Sequence, residues 1–166
     1  WGNVGNGLVI RPSATEDCFY NFFNGGDIDG SRMNGVLLHI PAGNAHNIYN
    51  TQFTNVQFGD NSYAPNAGTY DEIKFTRDGT GGCSGLWITE CTFPGQSYTK
   101  YKVNFNASAA GISNVYISKN SFTLSIGGTG IINMLYGTNN LWITENLGYV
   151  TASSGTATVL NGQTSI

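Results

Sequence analysis

Two aspartates near the start of the chain are the first residues whose types and spacing could do chemistry. Asp27 and Asp29 stand two residues apart, and Arg32 and His39 follow them. If the two aspartates share a strand, their side chains point the same way and lie roughly 6 to 7 Å apart. That separation is near the lower limit for the paired carboxylates of an inverting glycosidase. These four residues are therefore the candidate catalytic group, and the alternative is a solvated loop or a capped corner.

A second charged group has the residue types that a polysaccharide lyase uses. It comprises Asp71, Glu72, Lys74, Arg77 and Asp78. Such a lyase would bind calcium through carboxylates and use an arginine or lysine as the base. The Gly-Thr-Gly-Gly run at 79–82 follows at once, which is typical of an exposed corner loop. Neither charged group repeats a recognisable lyase or hydrolase motif.

The three cysteines, Cys18, Cys83 and Cys91, allow at most one internal disulfide. A Cys83–Cys91 bridge is one interpretation, and the other is that Cys91 is a small buried residue. No histidine or carboxylate stands near these cysteines at metal-ligand spacing, so the sequence predicts no metal site. No cofactor is expected either, except calcium if the chain is a lyase.

Three copies of one sequence repeat, here called the repeated phrase, predict the strands that position these residues. They read LWITECTF at 86–93, VYISKNSF at 115–122 and LWITEN at 141–146, each after a small or polar pair. The central isoleucines, Ile88, Ile117 and Ile143, are separated by 29 and 26 residues. Self-similarity at such a period indicates stacked supersecondary units. The alternating β-branched and aromatic residues favour strands over helices.

Degenerate copies extend this array toward the N-terminus, at 53–58 and 23–28. A second strand recurs between the copies, and its equivalent positions are taken as Leu37, Ile73, Val103 and Ile132. Two strands per unit, in constant order and joined by polar corners, predict an all-β parallel solenoid of about five coils. An antiparallel sandwich is the alternative.

Strand alternation places the aromatic residues of the phrases on the outside. Leu86 and Ile88 point inward, so Trp87 points outward, and the same phase applies to the other copies. The result is an outward row of Trp87, Tyr116 and Trp142, with Phe22 at the equivalent place in the earliest copy and Gln52 interrupting. A contiguous exposed aromatic row indicates an interaction surface. It could stack on sugar rings, pack against a neighbouring subunit, or be covered by the chain's own tail.

Polar residues recur where each phrase turns. Glu90, Lys119 and Glu145 form a ladder of alternating charge, which we interpret as structural because opposite charges on adjacent strands stabilise a sheet modestly. The next position holds Cys91, Asn120 and Asn146. An asparagine at an inward corner can hydrogen-bond along the ladder and tolerates unusual backbone angles.

The coil period and the asparagine corner, between about Gly7 and Tyr149, resemble those of the right-handed parallel β-helices of the pectate-lyase-like superfamily. That superfamily includes polysaccharide lyases, glycosidases and viral tailspikes. The resemblance implies a right-handed parallel β-helix over residues 1–149. It rests on no catalytic signature.

The last residues, 150–166, leave the repeat and form a predicted exit tail. A strand at 155–160 precedes Asn161-Gly162, a strong two-residue hairpin signal. This stretch resembles the connector that opens a C-terminal β-sandwich in phage-type appendage proteins. Its strand must pair with the β-helix, another subunit or a further domain, because an unpaired strand edge leaves backbone N–H and C=O groups without hydrogen-bond partners. The chain begins at Trp1 rather than at a methionine, so we expect a processed or excised piece of a longer protein.

Composition narrows the classes of function. The charged fraction is 10%, the net charge is −3, and the seven basic residues are dispersed, which argues against a nucleic-acid surface. No apolar stretch is long enough to span a membrane. We expect a structural or adhesive module of an extracellular or virion appendage that assembles as a homo-oligomer or filament and can bind glycans. The alternative is a polysaccharide lyase or glycoside hydrolase acting on an extracellular polysaccharide, and the expectation leans away from an enzyme.

Overall fold

The computed structural model describes residues 5–63, 65–94, 98–105, 111–123, 130–133, 139–148 and 152–153. The regular structure of these residues is strand throughout, and they include no helix. The strands are β1 (Leu8–Ile10), β2 (Cys18–Asn24), β3 (Asp27–Asp29), β4 (Val36–Ile40), β5 (Ile48–Thr54), β6 (Gln57–Gly59), β7 (Ile73–Arg77), β8 (Cys83–Thr89), β9 (Thr92–Phe93), β10 (Tyr101–Asn104), β11 (Ile112–Ser118), β12 (Ser121–Phe122), β13 (Gly130–Asn133), β14 (Asn139–Thr144) and β15 (Ala152–Ser153).

The strands form three parallel sheets that the chain visits in turn. Sheet 1 has the order β1-β4-β7-β10-β13-β15, sheet 2 the order β14-β11-β8-β5-β2, and sheet 3 the order β12-β9-β6-β3. Each strand pairs with the strand one coil away, which confirms the predicted parallel solenoid. There are about four complete turns rather than about five. In the fifth coil, the described residues contribute to sheet 3 only an isolated bridge between Ser121 and Leu147.

Each turn contains three strands, not the two that the sequence predicted. The repeated phrase is broken because Glu90, Lys119 and Glu145 adopt left-handed backbone angles, with φ of 56°, 57° and 55°. A left-handed residue ends the extended conformation and redirects the chain. For this reason β8 ends at Thr89 and the short strand β9 begins at Thr92.

The inward phase of sheet 2 is confirmed by its register. Ile117 pairs with both Ile88 and Ile143, and all three are buried. Phe23 and Phe53 continue the same column toward the N-terminus. Side chains of the same type stack on one another in successive coils and fill a narrow core. The column repeats because every coil offers the same space at this position.

One predicted equivalence in sheet 1 is wrong by one residue. Ile73 pairs with Val36 and Val103, and Val103 pairs with Ile132, whereas Leu37 pairs with Lys74. Val36 is buried and Leu37 is only half-buried. The strand 36–40 has hydrophobic residues in both phases, so alternation could not choose between them.

A second set of left-handed residues lies within the strands of sheet 2. It comprises Tyr20, Asn50, Gly85, Asn114 and Asn140. Gly85, Asn114 and Asn140 coincide with the small or polar pairs that precede the three repeated phrases. Asparagine and glycine tolerate this conformation better than other residues, so these pairs mark a shared bend in the strands rather than a corner before them.

Within the predicted exit tail, Ala152 and Ser153 of β15 pair in parallel with Ile132 and Asn133 of sheet 1. The predicted strand at 155–160 and the Asn161-Gly162 hairpin lie outside the described residues, as do residues 149–150 at the expected boundary. No helix able to cross a bilayer occurs in the part of the chain that the structure describes.

Candidate functional site

The aromatic row, Trp87, Tyr116 and Trp142, lies on the outer face of sheet 2. Tyr116 pairs in register with both tryptophans, as alternation predicts. The ring of Tyr116 is parallel to that of Trp87 within 2° at 5.5 Å and to that of Trp142 within 1° at 4.2 Å. All three side chains are half-buried. Because the rings lie face to face along the solenoid, the surface that they turn outward consists mainly of ring edges.

Polar strips border the aromatic row on both sides. One strip consists of the outward hydroxyl residues two positions after the row in each strand, Thr54, Thr89, Ser118 and Thr144. The hydroxyls of Thr54 and Thr89 are 3.2 Å apart. On the other side, the bends of sheet 2 carry amides. Asn140 Nδ2 donates to Asn114 Oδ1 at 2.9 Å, and Asn114 Nδ2 donates to Ser84 Oγ at 3.0 Å.

Exposed aromatic residues also cover the first strand of the same face. Phe19, Tyr20 and Phe22 of β2 are 53%, 66% and 62% exposed. Phe22 is in register with Gln52, which separates it from Trp87, as predicted. Gln52 Nε2 donates to Thr54 Oγ1 at 2.8 Å. The residue that interrupts the aromatic row is therefore hydrogen-bonded to the strip of hydroxyl residues beside it.

A cavity of about 430 Å³, here called the corner cavity, opens between the end of β7 and the start of sheet 2. It is lined by Asn47, Tyr49, Arg77, Thr80, Gly82, Cys83, Ser84, Gly111, Ile112 and Ser113. Ser84 and Ser113 each stand three residues before a member of the aromatic row, on the same two strands of sheet 2. The sequence did not predict this cavity.

The predicted catalytic residues do not share one sheet: Asp27 and Asp29 lie on β3, His39 lies on β4, and Arg32 lies between these strands. Asp27 and Asp29 are both exposed on β3 in sheet 3, with half-buried Ile28 between them. His39 is on β4 in sheet 1, and its Nε2 is 2.8 Å from Asp78 Oδ2. The carboxylate that holds the imidazole is therefore that of Asp78, and not one of the two aspartates of β3. Arg32 is exposed after β3, and its carbonyl accepts a hydrogen bond from Asn66.

The charged segment 71–78 is not uniformly solvated: Asp71 and Glu72 are buried, whereas Asp78 at its end is exposed. Glu72 Oε1 is 3.7 Å from Lys102 Nζ, and both side chains are fully buried. Glu72 also accepts hydrogen bonds from Asn61 Nδ2 and Thr99 Oγ1. Buried charges are retained in proteins when they are paired and hydrogen-bonded, and these contacts supply both conditions.

Asp71 forms the second half of this buried cluster. Its carboxylate accepts hydrogen bonds from the Tyr101 backbone N–H at 3.1 Å and from Asn104 Nδ2 at 2.8 Å, and Lys74 Nζ lies 3.7 Å away. Burial raises the pKa of Asp71, and the Asn104 hydrogen bond and the Lys74 charge oppose that rise. The cluster connects the residues just before β7 with those of β10, at the N-terminal ends of these two strands of sheet 1.

Lys102 completes the cluster and donates to the Pro94 carbonyl at 2.8 Å. Burial lowers the pKa of Lys102, while the nearby Glu72 carboxylate raises it. Sequence reasoning missed Lys102 because a single lysine in a short apolar strand looks like an outward residue. The available signal was its position one coil after Glu72.

All three cysteines are free thiols, so the Cys83–Cys91 bridge is not formed. Cys91 is buried within the stack, as expected. Burial raises the pKa of Cys83 to about 12 and that of Cys91 to about 11.

The charge ladder at the strand breaks is exposed. Lys119 Nζ lies 4.0 Å from Glu145 Oε2, and both side chains are more than half exposed. Ion pairs this open to solvent contribute little to stability. No group of three or more His, Cys, Asp or Glu residues that could hold a metal ion occurs among the described residues.

Comparison with protein-family models, with curated proteins and with solved structures finds no match to this chain.

Proposed function

We propose that this chain is a structural or adhesive β-solenoid module of an extracellular or virion appendage, which assembles with further subunits through the outer face of sheet 2. The observation that carries this proposal is the aromatic row, which continues toward the exposed aromatics of β2. Large exposed apolar patches on soluble proteins mark interaction surfaces. Aromatic residues are also enriched at protein–protein interfaces.

The ring geometry favours a protein partner over sugar stacking within the row. A sugar ring stacks on the face of an aromatic ring, but the faces of Tyr116 are turned toward Trp87 and Trp142. The ring edges that remain, and the hydroxyl and amide strips beside them, suit packing and hydrogen bonding with a neighbouring polypeptide. Glycan binding would then use the polar strips and the ends of the row.

The resemblance to the pectate-lyase-like and tailspike superfamily supports the proposed role in an extracellular or virion appendage. Three parallel strands per turn and the asparagine ladder at the strand break agree with the resemblance that the sequence suggested. Strand connections of this kind are right-handed in nearly all proteins. We therefore propose a right-handed coil and a location outside the cell or on a virion surface.

The assembly proposal is tested by measuring molar mass with multi-angle light scattering over a concentration series. The parent chain is expected to form oligomers. The variants Phe22→Ser and Trp142→Ser are expected to shift the equilibrium toward monomer by about tenfold or more in dissociation constant. Tyr63→Ser is the matched control, because Tyr63 is exposed but lies outside sheet 2. Phe22→Ser removes a side chain that is mostly solvent-exposed, so it reports on assembly without disturbing the core.

The enzyme alternative gives a distinct outcome in the same preparation. A monomer that releases reducing ends or unsaturated products from an extracellular polysaccharide, and loses this activity in Asp27→Asn/Asp29→Asn, would overturn the proposal. Calcium would be added in one arm, since a lyase would need it. An oligomer without cleavage in either arm supports the proposal.

A further inference from the structure

The corner cavity differs in charge from the rest of the molecule. The chain carries a net charge of −3, yet among the described residues that line this cavity the only ionised side chain is that of Arg77, and none is acidic. Its volume of about 430 Å³ lies within the range of small-ligand sites. A fixed positive charge in a concave, partly desolvated site attracts anions more strongly than one on a flat surface.

The arm of Arg77 is held in place by its surroundings. The side chain crosses Gly111 so closely that a Cβ at position 111 would lie 2.7 Å from its Cδ and 3.1 Å from its Nε. Its Nη2 donates to the Thr80 carbonyl. Arg77 is the last residue of β7 and pairs with Ile40, so its backbone belongs to sheet 1. A guanidinium fixed at its stem loses less conformational freedom when it binds a ligand.

Neutral polar groups surround this charge. Ser113 Oγ donates to Ser84 Oγ at 3.0 Å, and these hydroxyls form one wall. Asn47 lies at another wall, where its Oδ1 accepts from the Gly82 N–H at 2.7 Å. The phenol of Tyr49 also lines the cavity. Hydroxyl and amide groups beside a fixed guanidinium fit a ligand with several hydrogen-bonding oxygens and one negative charge.

We propose that the corner cavity is an anion-binding site that selects oxyanions, namely the carboxylate, sulfate or phosphate group of a small polar ligand. The positive charge of the Arg77 guanidinium attracts the anion, and its Nη atoms contact the oxygens of the anion. The hydroxyls of Ser84 and Ser113 contact the remaining oxygens. This site is separate from the aromatic row, and the proposal does not depend on the oligomeric state of the chain.

The test is titration of the ¹⁵N-labelled chain with sodium sulfate, sodium phosphate and sodium acetate at constant ionic strength, with sodium chloride as the reference anion. Saturable shifts are expected at the amides of Gly82, Ser84, Gly111 and Ser113 with all three oxyanions and not with chloride. Equal affinity for the inorganic ions and acetate means that the free anion is sufficient. Stronger binding of acetate assigns the site to a carboxylic acid. Shifts that are absent, or equally large with chloride, overturn the proposal.

Two variants distinguish a binding role of Arg77 from a structural one. Arg77→Gln is expected to weaken oxyanion binding at least tenfold. Gly111→Ala keeps the charge but pushes the arginine stem aside, and it should weaken binding as well while the melting temperature changes little. Arg32→Gln is the control, because it removes the same charge from an exposed residue that does not line the cavity. If Arg32→Gln weakens binding as much as Arg77→Gln, the effect belongs to the overall charge and the site does not exist.

Discussion

Asn120 and Asn146 repeat one set of hydrogen bonds at the break between sheets 2 and 3. Asn146 Nδ2 donates to the Ile117 carbonyl at 2.9 Å, and Asn120 Nδ2 donates to the Ile88 carbonyl at 2.8 Å. The Oδ1 of each residue accepts the backbone N–H one coil earlier, from Asn120 and Cys91. Cys91 occupies the next rung, with its Sγ 3.5 Å from the Phe53 carbonyl. A thiol makes only weak hydrogen bonds, so the hydrogen bonds at Cys91 stabilise the stack less than those of Asn120 and Asn146.

Cys91→Asn is therefore expected to stabilise the protein. The new Nδ2 would donate to the Phe53 carbonyl, and the new Oδ1 would accept the Val56 N–H, which now contacts the sulfur. The free energy of unfolding should rise by about 0.5 to 1.5 kcal/mol, the net value of a typical hydrogen bond. The measurement is urea unfolding followed by circular dichroism. Cys83→Asn is the control and should destabilise, because it places an amide in the apolar core beside Ile48 and Ile112.

Ile117 is the central residue of the inward isoleucine column. It is fully buried between Ile88 and Ile143. Ile117→Ala should lower the free energy of unfolding by about 2 to 5 kcal/mol through lost burial and the cavity left behind. Ser121→Ala, at an exposed position of the next strand, should change it by less than about 0.5 kcal/mol. A loss below that value for Ile117→Ala would show that the inward phase is off by one residue.

At the scale of elements, the backbone conformation of one residue separates sheet 2 from sheet 3 in every turn. The equivalent positions are Gly25, Asn55, Glu90, Lys119 and Glu145, and all have φ between 55° and 73°. Glycine and asparagine adopt this conformation readily, whereas it costs other residues roughly 1–2 kcal/mol. The first two turns carry favourable residues here, and the later turns carry glutamate and lysine instead.

Glu90→Gly should therefore leave the stability unchanged or raise it by up to about 1 kcal/mol, since relief of the left-handed strain offsets the greater freedom of glycine in the unfolded chain. Thr89→Gly, one residue earlier within β8, is expected to lower the stability by about 1 kcal/mol, because glycine weakens a strand interior. Thermal unfolding of the two variants measures the contrast. A clear loss for Glu90→Gly would mean that its exposed charge, and not its backbone, matters at this position.

At the scale of the whole molecule, the repeat was enough to predict the solenoid, because each coil must present the same residue types to the same core. Ile88, Ile117 and the aromatic row followed from alternation alone. The break at Glu90 was located, but the short strand after it was not, since two residues carry too little pattern to be recognised as a strand.

The buried cluster around Glu72 was missed for a different reason. Its partners Thr99 and Lys102 are distant in sequence and meet it only because successive coils stack, whereas Asn61 stands 11 residues earlier in the connection between β6 and β7. A run of charged residues ahead of a glycine-rich stretch looks solvated when it is considered alone. Burial of such residues is a property of the assembled turns, which a local pattern cannot show. The corner cavity was missed in the same way, because β7 and sheet 2 build it together.

The cluster also predicts how the turns are coupled energetically. Counted from β1, Glu72 stands just before β7 at the start of the third turn and Lys102 lies on β10 in the fourth, and the pair is fully buried. Lys102→Met leaves the Glu72 carboxylate without its counter-charge, which should cost about 3 to 5 kcal/mol, as for other broken buried pairs. Glu72→Gln should destabilise as well, because it leaves the ammonium group of Lys102 buried without the carboxylate.

The double variant Glu72→Gln/Lys102→Met is expected to be more stable than the sum of the single losses predicts. Neither charge then remains buried, while the amide oxygen of Gln can accept the hydrogen bond from Asn61 and the amide nitrogen can donate to the Thr99 hydroxyl. Residues in direct contact typically show coupling energies of about 0.5 to 3 kcal/mol in such cycles. Urea unfolding of the four proteins at one pH measures the coupling. Strictly additive losses would mean that the two side chains do not interact, and that the third and fourth turns are held together by strand pairing, core packing and the hydrogen bonds of Asp71.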